Sequence, residues 1–451
     1  MAKNTTLKCC NIKIKGGFKM TLQEYISYHY AGKSNWFLEE ITNSWHVKRI
    51  QNIINAKQYL DGRHAILDRP DEKFGGRTLI TKKIILNYAK TIMNFQTNFI
   101  LKNPITLTCD DEKTLNAFKE VYKKGRFNLI DFKILQNMIK FGQAYEYLYL
   151  DANGNILSKI IDSADGFPIY DDQMNYLAFI EYYNVLGISY YTIFTQDTVT
   201  SYIDIGGELH KTGEYKNLSG LPIVYRIPSE IDILEGRSDL EDYISILDSM
   251  EELISKYHDA FYKYITGIPV VTGTKLNIDK SGNGAIDPNV VGFALQLDDG
   301  SSFEFKQNKT DIQSFKTLFN TLKQSLLDIS CTPGISMNSE SISNLSEVSI
   351  KMLYSLAEIK GSLNANYLKE GFIERWKQIR RLLALNNIQV NGEIDCTFEF
   401  AIPQNSTDII NDLKTLKDIG AISLPTLLAN SPYIHDVSSE LQNLQKENNA
   451  G

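Results

Sequence analysis

Between Ser238 and Ile265 the chain carries apolar residues at Leu240, Tyr243, Leu247, Met250, Ile254, Tyr257, Phe261 and Tyr264, in steps of three and four. That is the 3.5-residue repeat of a long helix packing along a partner. From Asp311 to Ile329 the rhythm returns at Ile312, Phe315, Phe319, Leu322, Leu326 and Ile329. Two helices of matched period, about forty residues apart, predict a hairpin. Such a hairpin is too narrow to close its own core. It asks for neighbours, and a ring of identical subunits supplies them.

Around the hairpin the pattern changes character. Met20–Asp61 predicts one helix with Trp36, Phe37, Ile41, Trp45, Ile50, Ile53 and Ile54 on its apolar face, closed by Gly62. A loop of glycine, proline and charge follows, then an amphipathic helix from Leu79 to Leu101 that Asn103-Pro104 breaks. Thr114–Tyr122 and Asn128–Phe141 read as two more helices. Ala144–Leu150, Phe179–Val185, Tyr190–Thr195, Val199–Ile203 and Val224–Ile227 are β-branched and aromatic. With turn signals at Asn153-Gly154 and Gly206-Gly207, they predict an antiparallel sheet. The insert between the long helices carries short strands at Pro269–Val271, Phe293–Gln296 and Ser302–Phe305. A Ser/Asn-rich loop runs from Pro333-Gly334 through Asn344, where Asn344 and Glu347 have the spacing of a capping box. The next helix extends to about Leu385, with Gly361 and Gly371 as candidate bends. A strand at Ile394–Ala401, helical structure over Thr407–Ala429 and a loose tail after Ser438 complete an α+β fold.

Composition narrows the function. The chain has 451 residues, 43% hydrophobic and 11% aromatic, which is folded protein on the scale of two or three domains. Lys and Arg number 47 against 54 Asp and Glu, a net charge of −7. A protein that grips nucleic acid needs the opposite balance, because Lys and Arg neutralise the phosphates. One that DNA merely passes does not. Cys9, Cys10, Cys109, Cys331 and Cys396 show no metal or redox spacing and read as reduced thiols of an intracellular product. The first twenty residues are basic but lack the apolar core of a signal peptide, and Met20 offers an alternative start. No run approaches the roughly 18 apolar residues of a membrane span, so no membrane partner is expected.

Candidate chemistry is sparse. There is no GxxxxGK[ST] phosphate loop, and Gly282-Asn283-Gly284 lacks the third glycine of a dinucleotide fingerprint. The six histidines have no metal-binding spacing, so neither cofactor nor metal is expected. Asp110-Asp111 and Asp171-Asp172 are acid pairs at predicted turns; a metal-dependent nuclease would use such residues, and a solvated turn explains them as well. On the first long helix Glu241, Asp248, Glu252 and Asp259 step by seven, four and seven and share the face opposite the apolar seam. Such a stripe is either an ordinary wet face or a channel lining that repels phosphate.

At this point the order of parts resembles the portal proteins of tailed bacteriophages with Gram-positive hosts. The likeness covers about Tyr59 to Asn386. It rests on Tyr59-Leu60-Asp61-Gly62-Arg63-His64-Ala65-Ile66-Leu67, on Phe99-Ile100-Leu101-Lys102-Asn103-Pro104-Ile105, on Phe141-Gly142-Gln143-Ala144-Tyr145-Glu146-Tyr147 and, above all, on Gly236-Arg237-Ser238-Asp239-Leu240-Glu241-Asp242. Ser346-Glu347 departs from the Ser-Gly pair that often opens the helix after the loop in relatives.

The resemblance implies a ring, usually of twelve subunits, at one vertex of the phage head, with no enzymatic activity of its own. It implies an N-terminal arm and helix over 1–60, a wing over 61–235, stem helices over 236–266 and 311–332, and a clip over 267–310. A tunnel loop over 333–345, a long helix and wing strand over 346–402, and a helical crown over 403–451 follow. Clip residues Lys275, Asn277, Asp279, Lys280, Asn283 and Asp287 would meet the terminase large subunit and later a head-completion adaptor. The tunnel-loop stretch Ser336-Met337-Asn338-Ser339-Glu340-Ser341-Ile342-Ser343-Asn344 would face double-stranded DNA that passes without specific binding. Major capsid and scaffolding proteins are further implied partners, with assembly in the bacterial cytoplasm and residence in the virion. A minor capsid or head–tail assembly protein without an axial channel is the alternative.

Overall fold

A computed structural model of the chain describes residues 20–74, 77–264, 268–272, 300, 302–306, 312–334, 347–403, 406–431, 433–434 and 437–450. The chain divides into two compact units. One comprises residues 1–57, 90–241 and 331–451; the other comprises 58–89 and 242–330.

The N-terminal segment expected as one helix is three: α1 (Leu22–Tyr30), α2 (Trp36–Glu40) and α3 (Ser44–Leu60). Thr21 and Glu24 form a reciprocal capping box at the start of α1. Ala31 and Gly32, both left-handed, end it and redirect the chain. A 3-10 turn (Ala65–Asp68) and a small ribbon, β1 (Glu72–Phe74) and β2 (Arg77–Leu79), come next. The helix expected from Leu79 begins only at Tyr88, as α4 (Tyr88–Leu101); residues 80–86 form neither helix nor strand, and Asn87 turns the chain into α4. A short strand β3 (Thr106–Thr108) leads to α5 (Glu112–Gly125) and α6 (Phe127–Phe141), close to the helices expected there.

The β-rich region forms two sheets where one was expected. Strands β4 (Gln143–Leu150), β5 (Ile156–Ile161) and β11 (Ile223–Arg226) make a three-stranded sheet in the order β11-β4-β5. A five-stranded antiparallel meander holds β6 (Gly166–Tyr170), β7 (Tyr176–Val185), β8 (Ile188–Phe194), β9 (Thr198–Ile205) and β10 (Glu208–Lys216). Strand β10 is missed by pattern because its sequence, ELHKTGEYK, is charged and largely exposed, as suits a sheet edge that must not aggregate. α1 and α2 cover the meander: Tyr25, Ile26, Trp36 and Phe37 share a core with Phe167, Ile180, Tyr191 and Ile193.

The helix α7 (Leu240–Tyr264), the ribbon β12 (Ile268–Thr272) with β13 (Ser302–Lys306), and α8 (Ile312–Ile329) follow. Phe293–Gln296, expected as a strand, lies outside the described residues. α9 (Glu347–Leu385) runs 39 residues without a break. Gly361 and Gly371 therefore do not interrupt it. A Cβ on Gly371 would sit 2.2 Å from the Tyr225 ring, and one on Gly361 3.1 Å from Phe99. Both glycines let α9 press closely on its neighbours. The strand expected over Ile394–Ala401 shrinks to β14 (Asp395–Thr397), paired with β3. The C-terminal helical stretch splits at Gly420 into α10 (Ser406–Asp418) and α11 (Leu424–Ala429). The tail expected to be loose is α12 (Val437–Ala450).

The heart of the first unit is charged. Arg375, on α9 and fully buried, donates through Nε to Glu146 at 2.8 Å and through Nη1 to Asp131. Glu146 also accepts from Tyr225 Oη at 2.6 Å and Ser158 Oγ at 2.6 Å. The guanidinium lies 4.6 Å from the Phe372 ring centroid. Burial pushes the Asp131 carboxyl up to about 6 against the pull of Arg375. This cluster ties α9, α6, β4 and β11 together, and every tie spans more than 70 residues of sequence except that to Ser158.

Candidate functional site: the helical hairpin and its acidic face

The second unit is organised by α7. Tyr243, Leu247 and Met250 on its early turns are buried, while Phe261 near its end is 42% exposed. The expected pairing with α8 is made by Tyr257, stacked on Phe315 with ring centroids 3.8 Å apart and planes 16° from parallel. Phe315 continues onto Phe319. The 3.5-residue rhythm thus becomes contact, but incompletely. Of the seam on α8 only Leu326 is fully buried, and Ile312 and Ile329 remain about half exposed.

The polar side of α7 meets residues 58–89 of the same unit. Lys82 N–H donates to Asp259 Oδ1 at 3.1 Å, Ile84 N–H to Ser255 Oγ at 3.0 Å, and Leu86 N–H to Glu251 Oε1 at 2.7 Å. The match is geometric: four helical residues rise about 6.0 Å, and two extended residues advance about 6.6 Å. An extended chain can therefore place every second N–H on an acceptor repeated every fourth helical residue. This explains why the stretch is not a helix: the amides of Lys82, Ile84 and Leu86 are satisfied by α7 side chains, and that of Thr81 by Asp71.

Two further side-chain contacts lock the arrangement. Arg69 Nη1 lies 2.8 Å from Asp259 Oδ2 and also donates to Lys82 O at 3.2 Å. His64 Nδ1 lies 2.7 Å from Glu251 Oε1, both side chains being buried. Burial pushes the Glu251 carboxyl up, opposed by the Leu86 N–H and His64. Tyr59 stacks on His64 at 3.8 Å and donates from its hydroxyl to Asp248 Oδ1 at 3.2 Å.

The four acids of the expected stripe consequently have different surroundings. Asp259 and Asp248 are engaged by the 58–89 segment. Glu252 pairs with Lys256 at 2.5 Å and keeps 56% of its side chain exposed; Glu241 lies 3.7 Å from Arg237 Nε and keeps 45% exposed. Sequence reasoning missed Glu251, Ser255, His64 and Arg69. The 251–255–259 spacing was a signal, but its partner lies some 170 residues upstream and has no helical or alternating pattern.

One member of each acid pair has a structural role. Asp111 caps α5 by accepting from Thr114 N–H at 3.0 Å and from the Thr114 hydroxyl, and the hydroxyl first, then the amide, holds its carboxyl down. Asp171 closes the β6–β7 turn through the N–H groups of Gln173 and Asn175. Among the described residues no group of three or more metal-ligating side chains occurs, and no helix is long and apolar enough to cross a membrane. The tunnel-loop stretch 336–344 and the clip residues Lys275, Asn277, Asp279, Lys280, Asn283 and Asp287 lie outside the described residues.

Residues 41–451 match the family described as phage portal protein, SPP1 Gp6-like. No curated protein sequence matches the chain. Among solved structures, a chain from the neck of a native GTA particle computed with C12 symmetry is similar at 11% identity and a TM-score of 0.41, over 75% of this chain and 87% of that one. One from the neck of the empty particle computed with C6 symmetry has 13% identity and a TM-score of 0.43, over 74% and 85%. One from the virion of a native gene transfer agent has 13% identity and a TM-score of 0.41, over 76% and 88%.

Proposed function

The chain belongs to the SPP1 Gp6-like phage portal protein family, and from that premise we propose that copies of it close into a ring around a DNA channel at one vertex of the phage head. Genome DNA enters through this channel during packaging and leaves through it on ejection. The subunit is a structural element, and the ATP chemistry belongs to a separate terminase motor. Twelve copies are the expected number, assembled in the host cytoplasm and retained in the virion.

The observation that carries this reading is the half-covered seam of α7 and α8. Ile312 and Ile329 of the seam, and Leu318 beside it, are 48–51% exposed on a helix whose apolar stripe is spaced to pack along a partner. Neighbouring copies would cover such a surface. Glu241 and Glu252, the exposed members of the acidic stripe, are the channel-lining candidates; Asp248 and Asp259 add negative charge behind them while holding the 58–89 segment. In this reading residues 336–344 form the DNA-facing loop. Residues 267–310, with Lys275, Asn277, Asp279, Lys280, Asn283 and Asp287, form the docking surface for motor and adaptor.

Single-particle imaging of the purified full chain tests the ring. Closed rings of about twelve with an axial opening are expected, and a monomer at every protein and salt concentration would overturn the proposal. Deleting Ser339 to Ser343 should leave rings intact and shorten or abolish packaging; full-length packaged genomes would remove the loop from the mechanism.

A further inference from the structure

A cavity of about 560 Å³ in the first unit lies between β11, one flank of α9 and the turn at Ser219-Gly220. Its floor is an open sheet edge. Ile227 N–H donates to Gly142 O at 2.8 Å, so alternation points the main chain of Ile223, Tyr225 and Ile227 toward β4. The N–H and C=O groups of Val224 and Arg226 therefore face outward, and among the described residues no strand pairs with them. Pro222 and Pro228 bracket this edge, where proline is tolerated. Its upstream end is already capped: Leu221 O accepts from Gln378 Nε2 at 2.7 Å and Pro222 O from Tyr176 Oη at 2.8 Å. The stretch from Val224 to Arg226 stays free to pair.

Donors converge at one end of the groove. Arg381 Nη1, Gln378 Nε2 and Gln196 Nε2 lie 3.7, 3.8 and 3.9 Å from the point a Cβ on Gly220 would occupy. Gly220 has φ +116°, which keeps that point empty of side chain. Among the described residues no carboxylate or carbonyl engages the Arg381 guanidinium. Gln378 is 5% exposed, and its Oε1 is an acceptor without a partner. A bare anion would meet the donors but leave that acceptor unsatisfied; a peptide brings both a carboxylate and N–H groups. The acids of the groove stand apart from this end. Glu374 is paired with Lys377 at 3.1 Å, and Glu370 precedes Arg381 by eleven residues, roughly 16 Å along α9.

We propose that this groove binds an extended peptide segment of a partner protein, which adds a strand to β11 and seats an Asp or Glu carboxylate against Arg381, Gln378 and Gln196 above Gly220. The main-chain edge supplies affinity and the donor cluster supplies selection. A basic residue about five positions from the acid would reach Glu370, since extended chain advances about 3.3 Å per residue.

The test is an array of random hexapeptides, acetylated and amidated so that only side chains carry charge, probed with the full-length protein. Bound peptides should be enriched about tenfold in Asp or Glu at one end, the worth of a charge-assisted hydrogen bond. Arg381→Gln, an exposed position that threatens no core, should erase the enrichment. Val224→Pro, which removes an outward N–H, should abolish retention while circular dichroism stays unchanged. Failure to retain any peptide, or an acidic preference that survives Arg381→Gln, overturns the proposal. Arg381-dependent binding of inorganic phosphate or duplex DNA without peptide retention would also overturn it.

Discussion

The two units solve opposite problems. The first encloses its charges: Arg375, Glu146 and Asp131 are at most 2% exposed, and Arg375 bridges the two carboxylates, with Arg375 Nη2 and Asp131 Oδ2 left without a hydrogen-bond partner among the described residues. The second leaves apolar seam residues half exposed and, beside the buried His64–Glu251 contact, sets Arg69 and Asp259 near its margin to hold an irregular segment on a helix. A unit that buries an ion cluster must be complete by itself, because removing one member strands the others in a medium that cannot solvate them. A unit with an uncovered seam is complete only in company. The contrast separates what is built for folding from what is built for assembly.

Arg375→Ala should break the comparison most severely. It leaves Glu146 and Asp131 buried without their cation, at a cost of about 3–5 kcal/mol. The expected result is loss of the first unit's cooperative unfolding in urea or insolubility on expression. A change under about 1 kcal/mol would mean that the cluster is solvated in solution. Phe315→Ala, in the second unit, removes an aromatic stack that solvent already reaches. In free subunits the cost should be about 1 kcal/mol, while mass photometry should show rings dissociating at concentrations where the native protein holds them. Equal ring stability in both proteins would show that the seam does not face a neighbour. Asp259→Asn should have the smallest global effect. It weakens the grip on Arg69 and Lys82 by about 1 kcal/mol, so amide exchange at Lys82 and Ile84 should quicken about five-fold with the melting temperature nearly unchanged. Unaltered exchange would show that Ser255 and Glu251 alone hold the segment.

Local pattern was enough for α7 and α8, since their period is written in consecutive turns and each helix satisfies its own backbone. It was enough also for α5, α6 and the strands β4, β7, β8 and β9, whose β-branched and aromatic residues mark them even where, as in β4 and β7, burial runs continuously along the strand. The order of these parts made the family legible. Tertiary structure decided everything that depends on a distant partner. Residues 80–87 are apolar enough for a helix, but α7 offers acceptors at the repeat of an extended chain, so they form none. Gly361 and Gly371 look like breaks in sequence and are points of close approach in space, because only the neighbouring Phe99 and Tyr225 rings reveal why a Cβ is missing. The acidic stripe was visible as four carboxylates on one face. Which of them faces solvent and which holds chain was settled by Arg69 and Tyr59, almost two hundred residues away. Periodicity records what a residue does for its own element; it carries no record of what arrives from the rest of the chain.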